Sequence, residues 1–226
     1  MVTSFGNEES LLKNKPDMRK GTVLIHPAYF PSIAQMALVA QADHIVFEAN
    51  DNYQKQTYRN RAYISHTQGT LLLNVPVLHT KGLREKYKDV GVENDVPWQS
   101  HHWKSLQTAY STSPFFEYYA DEIVHLFEEP VTSLFEHNIN IHKEICELIG
   151  IDTEWSFTSA YTKEPKDVID ARNSISAKKD LEIEFPTYIQ VFSDRNEFLP
   201  NLSILDLLFT EGTNAISYLE KLILPF

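Results

Sequence analysis

The sequence predicts an α/β fold: an N-terminal βαβ unit with Rossmann-like parallel strands, followed by a mainly helical C-terminal half. Three observations carry that reading. Residues 21–25 (G-T-V-L-I) and 44–49 (H-I-V-F-E-A) are short apolar runs of strand character. A helical stripe lies between them, so strand, loop, helix and strand follow one another within the length of a parallel crossover. Beyond residue 95 the apolar spacing becomes mostly helical.

The elements follow in order. Residues 26–31 (H-P-A-Y-F-P) must be a loop, because two prolines break any helix there. Ser32 followed by Gln35 reads as a capping box, and Ile33, Met36, Ala37 and Ala40 form the apolar stripe of the helix it starts. Asp43 closes that helix. Residues 62–65 and 71–77 read as a hairpin around Gln68-Gly69, and residues 80–94 as a charged loop. Three helices are then expected. The first runs from Asp95 to Tyr110 with Pro97 in its first turn, the second starts at Pro114 with Ser113 as cap, and the third covers 131–149 and stops at Gly150. Residues 155–158 read as a third core strand. Residues 162–185 read as a helix plus a mobile loop, long enough over 163–179 to act as a lid. Helices over 202–209, capped by Asn201 or Ser203, and over 215–224 complete the chain.

The chain has 226 residues, 42 % hydrophobic and 23 % charged, which suits a globular domain with a substantial core. Residues 1–20 are polar, lack the apolar stretch of a signal peptide and read as a disordered leader, leaving 21–226 as a single α/β domain. No apolar run approaches the roughly 20 residues of a membrane span. The single cysteine, Cys146, precludes an internal disulfide and fits a reducing compartment, so a cytoplasmic location is expected. A net charge of -11 argues against nucleic-acid binding. The charge is uneven, however. Residues 53–104 carry eight Lys or Arg against four Asp or Glu, a balance of +4, while the remainder carries twelve against twenty-seven, or -15.

That basic stretch opens with the densest chemical cluster, D-N-Y-Q-K-Q-T-Y-R-N-R at residues 51–61. It leaves the C-terminal end of the second strand, beside the loop that leaves the first, where open α/β sheets bind ligands. Lys55, Arg59 and Arg61 are candidate anion ligands; Asp51, Tyr53, Gln54 and Asn60 complete a polar, aromatic surface. Strand alternation places Arg59 and Arg61 on one face. The competing reading is a solvated edge strand with protective charges. A second cluster, H-H-W-K at 101–104, brings His102, Trp103 and Lys104 as candidates; the competing reading packs Trp98, His102 and Leu106 into the core. His26 and His102 are the candidate acid–base groups, and Tyr29 is a further candidate contact. Cys146 is expected to be core. No metal-ligand spacing occurs, glycine-rich phosphate loops are absent, and no pattern specifies a cofactor or an oligomeric state.

Several motifs together resemble the WbqC-like family: H-P-A-Y-F-P-S (26–32), A-D-x-x-V-F (42–47), Y-Q-K-Q-T-Y-R-N-R (53–61), L-N-V-P-V (73–77) and H-H-W-K-S-L-Q-x-x-Y (101–110). Y-I-Q-V-F (188–192) and N-L-S-I-L-D-L-L-F-T-E-G (201–212) continue the likeness. The family's usual opening has Gln where this chain has His26 and Trp where it has Ser32. The family takes its name from a protein of O-antigen gene clusters. The resemblance therefore implies a role in bacterial cell-surface polysaccharide biosynthesis, by transfer of a small group onto a sugar; with the basic cluster at 51–61, the expected reading is a group transferase acting on a small anionic molecule: a nucleotide, a nucleotide-sugar or a sugar phosphate. It brings no established catalytic residues. A non-catalytic module binding a nucleotide-sugar, carbohydrate or protein is the alternative. A nucleotidylyltransferase-like enzyme is a third, by fold analogy, although the H-x-G-H motif is missing.

Overall fold

The structure is a computed structural model that describes residues 21–78, 84–177 and 182–225. The expected leader at 1–20 lies outside the described residues. Strand β1 (Thr22–Ile25) pairs in parallel with β2 (His44–Phe47), and α1 (Ile33–Gln41) connects them. Eight of the nine α1 residues are buried, as a helix between a sheet and other helices must be. Ser32 caps α1 by accepting from the Gln35 N–H. Gln35 does not close the expected capping box: its side-chain amide donates at 2.6 Å to the His26 carbonyl and so ties the loop after β1 to the helix. Two further α1 donors find distant partners, the Ile33 N–H on the Leu202 carbonyl and the Ala34 N–H on Asn201 Oδ1.

Strand β3 (Arg61–His66) and β4 (Gly69–Asn74) form the expected antiparallel hairpin. Helices α2 (Trp98–Tyr110), α3 (Phe116–Ile123) and α4 (Leu134–Ile149) follow. Pro97 is the cap of α2, one position outside the expected first turn, and Phe115 rather than Ser113 precedes α3. Gly150 ends α4 in a left-handed conformation, φ 80°. Helices α5 (Ile204–Glu211, capped by Ser203) and α6 (Ala215–Lys221) close the core around Leu207, Phe209 and Leu219.

Two expectations fail in the second half. β5 (Glu154–Phe157) pairs in parallel with β2 but forms the sheet's edge, with Glu154, Ser156 and Phe157 exposed, so it is no core strand. The described part of 162–185 contains no α-helix. It contributes β6 (Ile169–Asp170), which pairs with β1, and a 3-10 turn at Arg172–Ile175. Sheet order is therefore β5-β2-β1-β6. The chain winds one way from β1 through β2 to β5 and then returns to the other side of β1. That reversal is a topological switch point, which opens a crevice beyond the C-terminal ends of β1 and β6.

Candidate functional site

A cavity of about 430 Å³ occupies this crevice. Three loops wall it: His26 follows β1, Asp51, Gln54 and Arg59 follow β2, and Asp170 and Arg172 lie at the end of β6. Backbone bonds knit the loops together, from Tyr29 N to Tyr58 O and from Tyr58 N to Ile175 O. The first loop is further fixed at Phe30, which is fully buried with φ 38°, an uncommon conformation for a large side chain.

Asp51 is the junction of the polar groups. Its Oδ2 lies 3.1 Å from His26 Nε2 and 3.4 Å from Arg59 Nη2. Arg59 is 1 % exposed and also lies over the Tyr87 ring. A buried guanidinium requires such compensation, because desolvation otherwise disfavours the charge. Burial lowers the pKa of His26, against the opposing pull of its Asp51 hydrogen bond. Burial alone raises the Asp51 pKa, but the His26 hydrogen bond and the Asn52 N–H outweigh it and hold the carboxyl below its usual range. The pair thus rests as neutral imidazole and carboxylate. Nε2 then carries the proton donated to Asp51, and Nδ1 keeps its lone pair. Nδ1 is shielded and has no hydrogen-bond partner among the described residues.

On the opposite wall, Arg172 forks onto Asp170 with Nε–Oδ1 at 2.8 Å and Nη2–Oδ2 at 2.6 Å. It also donates to the Thr162 and Lys163 carbonyls and reaches Glu48 Oε2 at 3.5 Å. Glu48 is fully buried and accepts from Asn50 N and Thr158 Oγ1. The expected lid segment is therefore clamped where it begins; residues 178–181 lie outside the described residues. Tyr161 lies over the Arg172 guanidinium. Both cavity arginines are paired with carboxylates, so this pocket is polar without being strongly cationic.

The remaining candidates are placed elsewhere. Residues 57–60 form a turn, with Asn60 N bonded to Thr57 O, and β3 begins only at Arg61. The expected alternation of Arg59 with Arg61 therefore does not occur. Arg61, Lys55, Tyr53 and Asn60 line a separate cavity of about 350 Å³ beside the hairpin. Tyr29 and His102 meet inside the core, with the phenol 2.8 Å from Nδ1; Trp98 packs beside them. Burial pushes His102 down to about 4. Trp103 is half-buried against Phe116 and Phe127, and Lys104 is exposed. Cys146 is half-buried on α4, its thiol pushed up to about 12 by burial. The pairing of α2 with the core follows from Trp98, His102 and Leu106 lying one turn apart. Sequence reasoning missed Glu48, Tyr161, Asp170 and Arg172. The spacing D-x-R at 170–172 was the available signal, since a fork onto a carboxylate two residues away can form locally.

The model of the WbqC-like protein family matches residues 26–180. The chain belongs to that family. The match begins at His26 and contains every residue that lines the switch-point cavity, whereas α5 and α6 lie beyond it. An uncharacterized protein of Mycobacterium tuberculosis (strain ATCC 25618 / H37Rv) is 26 % identical over 234 residues, covering 89 % of this chain and 98 % of the relative. No solved structure gives a significant match. In this WbqC-like chain no described helix is long and apolar enough to cross a membrane, and no described group of three His, Cys, Asp or Glu side chains is arranged to hold a metal ion.

Proposed function

We propose that the protein is a group transferase of cell-surface polysaccharide biosynthesis acting on a phosphate-bearing sugar or nucleotide, with a sugar hydroxyl bound in the switch-point cavity. The observation that carries this reading is the His26–Asp51 pair at the end of β1 and β2. Asp51 is the member of the pair that opens to the cavity, with 15 % side-chain exposure against 2 % for His26, so its carboxylate takes the proton and His26 Nε2–H orients it. The substrate hydroxyl gives its proton to the Asp51 carboxylate as its oxygen attacks the donor, and the bond joining the transferred group to the donor's phosphate breaks, its electron pair leaving with the phosphate. Asp51, Asp170 and Gln54 supply acceptors, Arg59 and Arg172 supply donors, and Tyr161 supplies a ring face. Such a mixture suits several hydroxyls better than a single dense anion.

The test is complementation of a strain lacking the gene, read by mass spectrometry of its surface polysaccharide. Loss of one substituent is expected, restored by wild type. His26→Gln and Asp51→Asn, each verified as folded, should fail to restore it, in line with a general-base contribution of about 10²–10⁴-fold. An unchanged polysaccharide in the deletion strain refutes the reading. Full restoration by Asp51→Asn makes the cavity a binding site without acid–base chemistry.

A further inference from the structure

The two arginines of the switch-point cavity are spent on carboxylates, whereas the cavity beside the hairpin has the opposite electrostatics. Lys55 and Arg61 line it, and among the described residues no Asp or Glu side chain does. Neither cation forms an ion pair with a described residue. In a chain of net charge -11, two unpaired cations at one cavity concentrate anions there. Arg61 is oriented by the 3.3 Å bond from Nε to Asn74 Oδ1, which leaves its terminal nitrogens free of described protein partners.

Three further features point to a ligand. The Tyr53 hydroxyl is buried and has no partner among the described residues, although Tyr53 lines this cavity. Asn60 is 6 % exposed; its amide donates to Asn74 Oδ1 and the Val75 carbonyl, and its buried Oδ1 has no donor among the described residues. Gln56, also on the rim, holds φ 61°, a conformation that non-glycine residues adopt at a cost and that clusters at ligand clamps. Burial keeps Tyr53 protonated, its pKa raised to about 12, so the hydroxyl is a donor at neutral pH.

We propose that this cavity is a phosphate subsite, with the phosphoryl oxygens held by Lys55, Arg61 and the Tyr53 hydroxyl. A hydroxyl next to the phosphate satisfies Asn60 Oδ1, which selects a phosphorylated sugar over bare phosphate. The sugar part rests on the transferase reading; the phosphate part does not. Gln54 lines the switch-point cavity and its neighbours Tyr53 and Lys55 line this one, so a single short segment separates the two.

Titration with inorganic phosphate and with glucose 1-phosphate at low salt, followed by calorimetry, tests the proposal. Wild type should bind both, glucose 1-phosphate more tightly, and added salt should weaken both. Lys55→Gln, an exposed position that folding tolerates, should weaken phosphate about tenfold or more, as the loss of one charge-assisted contact does. Arg61→Gln should do the same, and Tyr53→Phe should have a smaller effect. Equal affinity in wild type and Lys55→Gln, or no binding of either ligand to wild type, overturns the subsite. Phosphate binding by wild type together with an unchanged polysaccharide in the deletion strain supports the subsite while removing the transferase reading.

Discussion

Arg172→Met tests how the wall of the switch-point cavity is held. Nη1 of Arg172 is 3.5 Å from Oε2 of Glu48, a carboxylate with 1 % side-chain exposure. At that distance two unit charges attract by about 5 kcal/mol for an effective dielectric of about 20, and desolvation offsets much of it. The variant strands Glu48 as a buried charge and also loses the Asp170 fork and the Thr162 and Lys163 carbonyls. Together these should cost about 3–5 kcal/mol. Glu48→Gln should cost only about 1 kcal/mol, because its remaining carbonyl still accepts from Asn50 N and Thr158 Oγ1. The double variant should then be more stable than the sum of the singles predicts by about 2 kcal/mol, since a neutral amide at position 48 needs no counter-charge. The losses at Asp170, Thr162 and Lys163 occur in both arms and cancel, so the cycle isolates the Glu48 contact. Urea unfolding followed by tryptophan fluorescence gives each free energy. A coupling below about 0.5 kcal/mol refutes the argument that Arg172 neutralises Glu48.

Two other outcomes are expected. Gly150→Ala should cost about 1 kcal/mol, because φ is 80° and nothing lies within 4 Å of a new Cβ. Gly212→Ala should cost more, because φ is 55° and its Cβ would lie 2.8 Å from the Phe115 ring; melting temperatures in the reverse order count against this. Acid should destabilise the fold through its buried imidazoles. His102, His137 and His142 are each pushed down to about 4 by burial, against an ordinary value of 6.5. Between those values the unfolded chain binds the protons and the folded one does not, so stability falls as pH drops from 6.5 to 4. Urea unfolding across that window should show an uptake approaching three protons, and a flat profile would contradict the buried, neutral assignment.

The βαβ unit was legible because each of its parts has a local cause. Val23 to Ile25 and Ile45 to Phe47 are apolar enough for strands of a covered sheet, Pro27 and Pro31 exclude helix from the loop, and Ser32 supplies a cap. β6 was not legible. It has two residues, only one of them apolar, and exists because the edge of β1 offers backbone partners at Val23 and Leu24. Missing β6 meant missing the reversal of strand order, and with it Asp170, Arg172 and the far wall of the cavity. The edge position of β5 was hidden for the converse reason. W-S-F-T at 155–158 carries two aromatic residues and reads as core, although Trp155 is half-buried and Phe157 exposed.

The basic run at 51–61 shows why residue density and site are different quantities. Read as a strand, it places three cations together. Folded, it divides them according to the cost of desolvation. Arg59 is buried by the turn at 57–60 and requires a carboxylate nearby; Asp51, eight residues earlier, provides it. A buried arginine therefore marks a neutralised place, and the cavity it lines presents donors and acceptors in balance. Lys55 and Arg61 keep access to solvent, need no counter-charge to fold and remain available to a ligand. The unpaired positive charge of the 51–61 run thus resides beside the hairpin, and the proton transfer proposed for the His26–Asp51 pair would take place where the positive charge has been cancelled. A substrate with a phosphate at one end and a reactive hydroxyl at the other matches that division.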